Sequence, residues 1–150
     1  MTIPQGHSIG RAVALDCSPQ NHEKLISEAL MSRLVLASSA VSSEVLKSME
    51  RFHSDVVKTV SETVAKEKVV VVGMAQNPFV KKARDALQEH GIDFKYLEYG
   101  SYLGQWKQRL AIKLWSGWPT FPQVFVNGIL IGGATDTIKA IANGSIKKSR

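Results

Sequence analysis

The run Gln123-Val124-Phe125-Val126 is followed by Asn127-Gly128 and then by Ile129-Leu130-Ile131. Two stretches of β-branched and aromatic residues, separated by two residues that tolerate a positive φ, specify a tight antiparallel hairpin. Upstream, Val69-Val70-Val71-Val72-Gly73 is an unbroken apolar run bounded by charge and by Gly, which predicts a strand buried on both faces. Asn77-Pro78 then supplies an N-cap followed by Pro at the first helical position, and Val80, Ala83 and Leu87 keep helical spacing until Gly91. Asp93 to Leu97 alternates as a strand does, and Tyr102 to Trp115 returns to helical spacing through Leu103, Trp106, Leu110 and Leu114. Gly132-Gly133 closes the hairpin, and Thr135 is the expected cap of a last helix running through Ile138 and Ile141 to Asn143-Gly144. The element order is therefore β-α-β-α-β-β-α. This is an α/β chain with a parallel pair, a hairpin and a four-stranded mixed sheet flanked by helices.

Ahead of this unit the pattern changes. Residues 1–20 carry Pro4, Gly6, Gly10 and Pro19 with little periodicity and read as an irregular lead-in. From Asn21 to Lys66 there is neither Gly nor Pro, and apolar residues recur at helical spacing. Leu25, Ile26, Ala29, Leu30 and Leu34 form one stripe. Val45, Leu46, Met49, Phe52, Val56, Val57, Val60 and Val64 form a second, which predicts one helix beginning after Ser42 or Ser43. The expected division is thus a lead-in over 1–20, a helical extension over 21–66 and a folded domain over 67–150, the extension's apolar stripe either packing on its own domain or serving self-association or the docking of a protein partner.

Several function classes are excluded at this level. With 150 residues, 44% of them hydrophobic and 21% charged, the chain has the balance of one ordinary globular core. Its longest apolar runs fall far short of the ~20 residues that span a bilayer. The first residues show no charged start followed by an apolar segment, so no secretory leader is expected and a cytoplasmic location follows. The net charge of +6 favours encounter with acidic partners, yet no zinc-finger or RRM pattern accompanies it, and nucleic acid is not the expected partner. Cys17 is the only cysteine, and His7, His22, His53 and His90 have no ligand spacing, so neither an intrachain disulfide nor a metal cluster is expected.

Trp118-Pro119-Thr120-Phe121-Pro122-Gln123-Val124-Phe125-Val126-Asn127-Gly128, followed by Gly132-Gly133-Ala134-Thr135-Asp136, resembles the glutaredoxin family, and the likeness runs from about Lys68 to Gly144. The resemblance implies a thioredoxin-like fold with an N-terminal helical extension, and a cis peptide bond before Pro122. A cis bond there leaves the backbone of Phe121 facing outward, free to pair with glutathione or another extended peptide. It implies further that Thr120 flanks this edge, and that Gly133, Ala134, Thr135 and Asp136 open a helix whose N–H groups suit the γ-glutamyl carboxylate. Arg109 and Lys113 fall near the expected position of the glycyl carboxylate.

One departure from the family pattern matters more than any match. Where relatives carry Cys-Pro-Tyr-Cys or Cys-Gly-Phe-Ser, this chain has Asn77-Pro78-Phe79-Val80. A carboxamide is neither a nucleophile nor reducible, so ordinary disulfide exchange through this position is not expected, and an iron–sulfur cluster loses its protein thiolate. Met74 stands where dithiol relatives often carry a Lys. Three functions remain open: a non-catalytic module that binds glutathione or a peptide at the cis-proline edge, a glutathione-dependent oxidoreductase or transferase acting by an unusual route, and a scaffold built on the helical extension.

Overall fold

The structure, a computed structural model, describes residues 33–147. The expectations placed on the lead-in, on the first amphipathic stripe up to residue 32 and on Cys17 lie outside the described residues. Contacts divide the chain into Met1–Val41 and Ser42–Arg150. In the first unit, residues 33–40 are exposed and hold one short 3-10 turn, Ser38–Ala40.

In the second unit, helix α1 spans Ser43–Arg51 and α2 spans Ser54–Lys66. The single helix expected from Val45 to Val64 is therefore two. His53 takes φ 47 and ψ 41, a left-handed conformation that no right-handed helix can contain. Its carbonyl then accepts the N–H groups of Val56 and Val57 and starts the next helix. His is one of the few non-glycine residues enriched in that conformation, and spacing of apolar residues is blind to a one-residue break.

Strand β1 is Val69–Gly73, α3 is Pro78–Glu89, β2 is Lys95–Glu98 and α4 is Trp106–Ser116. Strand β3 is Gln123–Val126, β4 is Ile129–Gly132 and α5 is Ala134–Ala142. The sheet order is β2-β1-β3-β4, with β1 parallel to β2 and antiparallel to β3. Asn127 and Gly128 adopt φ of 49° and 80°, as the hairpin turn requires.

Both faces of β1 are covered, which is why its sequence does not alternate. Val70 and Val72 join Val60 and Val64 of α2, Ile112 of α4, Val80, Phe121 and Phe125 on one side. Val69 and Val71 join Ala83 and Leu87 of α3, Val124, Ile92, Ala134 and Ile146 on the other. Helix α2 thus closes one of the two apolar layers, whereas α1 buries none of its residues. Gly73 ends β1 where no side chain fits, since a Cβ there would lie 2.6 Å from Val80 Cγ1.

Three boundaries differ from the sequence expectation. Helix α4 begins at Trp106, because Gln105 has φ 55 and stops the helix from extending back to Tyr102. Strand β2 begins two residues later than Asp93, at Lys95, where pairing with Val70 starts. Helix α5 is capped at Gly133, so Thr135 lies inside the first turn. No helix among the described residues is long and apolar enough to cross a membrane.

Candidate functional site at the cis-proline end of the sheet

Register brings three segments to one end of the sheet. Val72 faces Gln123 across the β1/β3 pair, so the loop leaving β1 through Met74 to Asn77 and the segment entering β3 through Trp118 to Pro122 lie side by side. Val124 faces Gly132, which delivers the start of α5 to the same end. A Cβ added at Gly133 would lie 3.7 Å from the Pro122 carbonyl oxygen, so the helix entrance sits directly against the proline segment.

The Phe121–Pro122 peptide bond is cis. Pro122 is buried, Phe121 retains 8% of its surface and Thr120 is exposed. Among the described residues no backbone group bonds to the Phe121 N–H or C=O, so a donor and an acceptor stand ready at this edge. The segment is held from behind by Gln123, which is fully buried and donates from Nε2 to the Trp118 carbonyl at 3.1 Å. Gln123 Oε1 and Trp118 Nε1 are themselves buried without a protein partner. Neither residue has a role in the expectations drawn from the motif. The signal was available in a carboxamide set within an otherwise apolar strand.

At the entrance of α5, the Asp136 carboxylate turns back and accepts the Gly133 N–H at 3.0 Å. Asp136 therefore fastens the Gly132-Gly133 corner. Gly133 has no side chain to cap with, so the N–H groups of Ala134, Thr135 and Asp136 lack intrahelical partners and face the cis-proline segment's end of the sheet. That is the geometry of an anion site: convergent N–H groups with the positive end of a helix dipole behind them.

The two basic residues of α4 part company. Arg109 is 8% exposed, and its Nη1 donates to the carbonyls of Tyr99, at 2.9 Å, and Gly104. The long side chain is thus drawn towards the loop after β2 through its Nη1. Lys113, one turn further on, is half-buried with its Nζ 5.5 Å from the centre of the Phe121 ring. Of the pair, Lys113 is the cation beside the cis-proline segment.

Asn77 is the N-cap of α3, as its sequence context predicts. Its Oδ1 accepts the N–H groups of Phe79, at 2.9 Å, and Val80, at 3.1 Å, with Pro78 at the first helical position. The free end of this helix is thus already filled by its own side chain. Phe79 is 60% exposed, whereas Met74 is buried at 7%. Behind the loop, between α3 and β2, lies a cleft of about 530 Å³ lined by Gln76, Pro78, Lys81, Arg84, Tyr96 and Glu98. Arg84 stacks 4.2 Å above the Tyr96 ring, whose hydroxyl donates to Glu98 at 3.0 Å. Burial first, and then the Glu98 carboxylate, push the Tyr96 hydroxyl up to about 12, so it stays a donor at any physiological pH.

The Glutaredoxin family profile matches residues 69–131. A glutaredoxin-like protein of Dictyostelium discoideum is 54% identical over 98 residues, covering 65% of this chain and 80% of that protein. The chain belongs to the glutaredoxin family. Glutaredoxin-C6 of Oryza sativa subsp. japonica is 33% identical over 85 residues, covering 57% of this chain and 76% of the relative. Among solved structures, oxidized glutaredoxin 2 from Chlamydomonas reinhardtii superposes with a TM-score of 0.53 at 28% identity, covering 61% of this chain and 87% of that one. The thioredoxin-like architecture expected of a glutaredoxin is the one observed.

At the start of α3 the residues present supply no thiolate for an iron–sulfur cluster. Such clusters are held by thiolates, and the Asn77 oxygen that would stand in is committed to two helix N–H groups. Among the described residues no three His, Cys, Asp or Glu side chains gather in a metal-binding group.

Proposed function

We propose that this glutaredoxin binds glutathione, or an extended peptide of the same kind, at the cis-proline edge and performs no thiol–disulfide exchange through position 77. The observation that carries this reading is the convergence of an unpaired Phe121 backbone, the uncapped start of α5 and Lys113 around a helix whose N-terminus is closed by a carboxamide. Each part suits one portion of the ligand. The Phe121 N–H and C=O pair with an extended main chain as an added strand would. The N–H groups of Ala134, Thr135 and Asp136 receive the γ-glutamyl carboxylate, and Lys113 meets the glycyl carboxylate, with exposed Thr120 alongside. A cytoplasmic location accords with this reading, since glutathione is abundant there.

Affinity is modest. Met74 supplies no charge and the Arg109 Nη1 is engaged by the loop, and each missing charge-assisted hydrogen bond costs about 1.5–3 kcal/mol. Binding in the millimolar range follows. Titrating reduced glutathione into the labelled protein shifts the amide signals of Phe121, Ala134, Thr135 and Asp136 first, and Lys113→Met weakens the response about tenfold. No shift at millimolar glutathione defeats the proposal.

One observation favours a protein partner as a second role. Trp106, Leu110 and Leu114 form an exposed stripe at helical spacing along α4, and such stripes mark interaction surfaces.

A further inference from the structure

Resting on the proposed glutathione reading, we infer that the site prefers glutathione carrying an apolar group on its sulfur, a thioether conjugate, over the free thiol. Two features of the α3 entrance lead there.

The first is what Asn77 does to the sulfur subsite. A site that favours a thiol holds it as thiolate, and a helix N-terminus achieves this with unpaired N–H groups and the positive end of the dipole. Here the Phe79 and Val80 N–H groups are taken by Asn77 Oδ1, at 2.9 and 3.1 Å. Pro78, at the first helical position, has no N–H to offer. The buried neighbour Met74 adds no cation. With these N–H groups spent and no cation supplied by Met74, the entrance of α3 offers a thiolate only the two Asn77 Nδ2 protons, so the ionised thiol loses most of the advantage that it has over a neutral thioether.

The second is what the entrance offers in place of charge. Phe79, Ala83 and Leu87 follow one another at intervals of four along α3, and the latter two are fully buried against the sheet. The same stripe carried one turn towards the helix start passes the end of the sheet, and Phe79 is left 60% exposed there. With the ligand's sulfur placed beside Asn77, where relatives keep their thiol, this apolar ring two residues along the chain borders the sulfur, with exposed Pro78 next to it. An alkyl group on the sulfur covers this ring, and the area removed from water is gained only by the conjugate.

The test is a comparison of three ligands, reduced glutathione, S-butylglutathione and S-butylcysteine, titrated into the full chain and into its Phe79→Ala variant, with amide shifts as the readout. Phe79 is exposed and the Asn77 cap uses only its backbone, so the variant keeps its fold, which its amide spectrum verifies. S-butylglutathione is expected to bind at least about tenfold tighter than reduced glutathione, from the burial of part of a four-carbon chain. In Phe79→Ala the preference falls below about threefold. Equal affinities for the two glutathiones, or a preference undiminished in Phe79→Ala, overturn the inference and leave the glutathione site standing. S-butylcysteine binding as tightly as S-butylglutathione overturns it as well, since the alkyl chain would then be adhering without the peptide. If neither glutathione binds at millimolar concentration, the site reading and this inference fall together.

Discussion

With its Oδ1 held by the N–H groups of Phe79 and Val80, Asn77 has only its two Nδ2 protons left to offer. The residue behaves as a helix cap that happens to stand where relatives keep a thiol, and removing a cap of this kind costs about 1 kcal/mol. Replacing it separates the two roles. In Asn77→Cys the same N–H groups are released towards the new sulfur, and the thiol pKa is expected to fall below the ~8.5 of a free cysteine. Alkylation rate against pH, in a Cys17→Ser background, measures this. An unshifted value would mean that the helix entrance no longer has the arrangement that activates a thiol.

Helix α4 shows how an element divides its labour. Arg109 ties the loop after β2 to the helix through the Tyr99 and Gly104 carbonyls, while Lys113 stays by Phe121. Arg109→Met is therefore expected to lower stability by about 1.5–3 kcal/mol, the worth of hydrogen bonds to a charged group, as read from urea unfolding. A ligand-binding arginine would leave the urea midpoint where it was. The strands, the hairpin and the capped start of α3 were all legible in the sequence because each is encoded locally: Asn127-Gly128 fixes its own turn, Asn77-Pro78 its own cap, Val69 to Val72 its own burial. The inward turn of Arg109 was not, since it answers to carbonyls five and ten residues away that no periodicity reveals. The break at His53 is a one-residue conformational change that leaves the apolar spacing intact, and the buried pairing of Gln123 with Trp118 spans five residues. The cis-proline edge and the α5 entrance, by contrast, were placed by motif, and the geometry supplied which of their groups are already spent.

At the scale of the whole molecule, α2, part of the stretch expected to form an extension, takes part in the core. Val60 is fully buried and Val64 is 7% exposed, and both pack with Val70, Val72 and Ile112. Val60→Ala is expected to cost about 2 kcal/mol through lost burial and the cavity left behind. Val45→Ala, on the exposed face of α1, should stay within about 0.5 kcal/mol. Equal effects in thermal unfolding would show that α2 does not seal the sheet. The same end-on arrangement that leaves Asn77 facing the cis-proline segment also decides which conditions the site can sense. A thiol there would change its charge with pH and its oxidation state with its surroundings, so occupancy would follow the supply of electrons. A carboxamide does neither. Position 77 has one chemical state in oxidising and reducing media alike, so on the proposed reading no redox change at this residue sets the occupancy of the cis-proline edge.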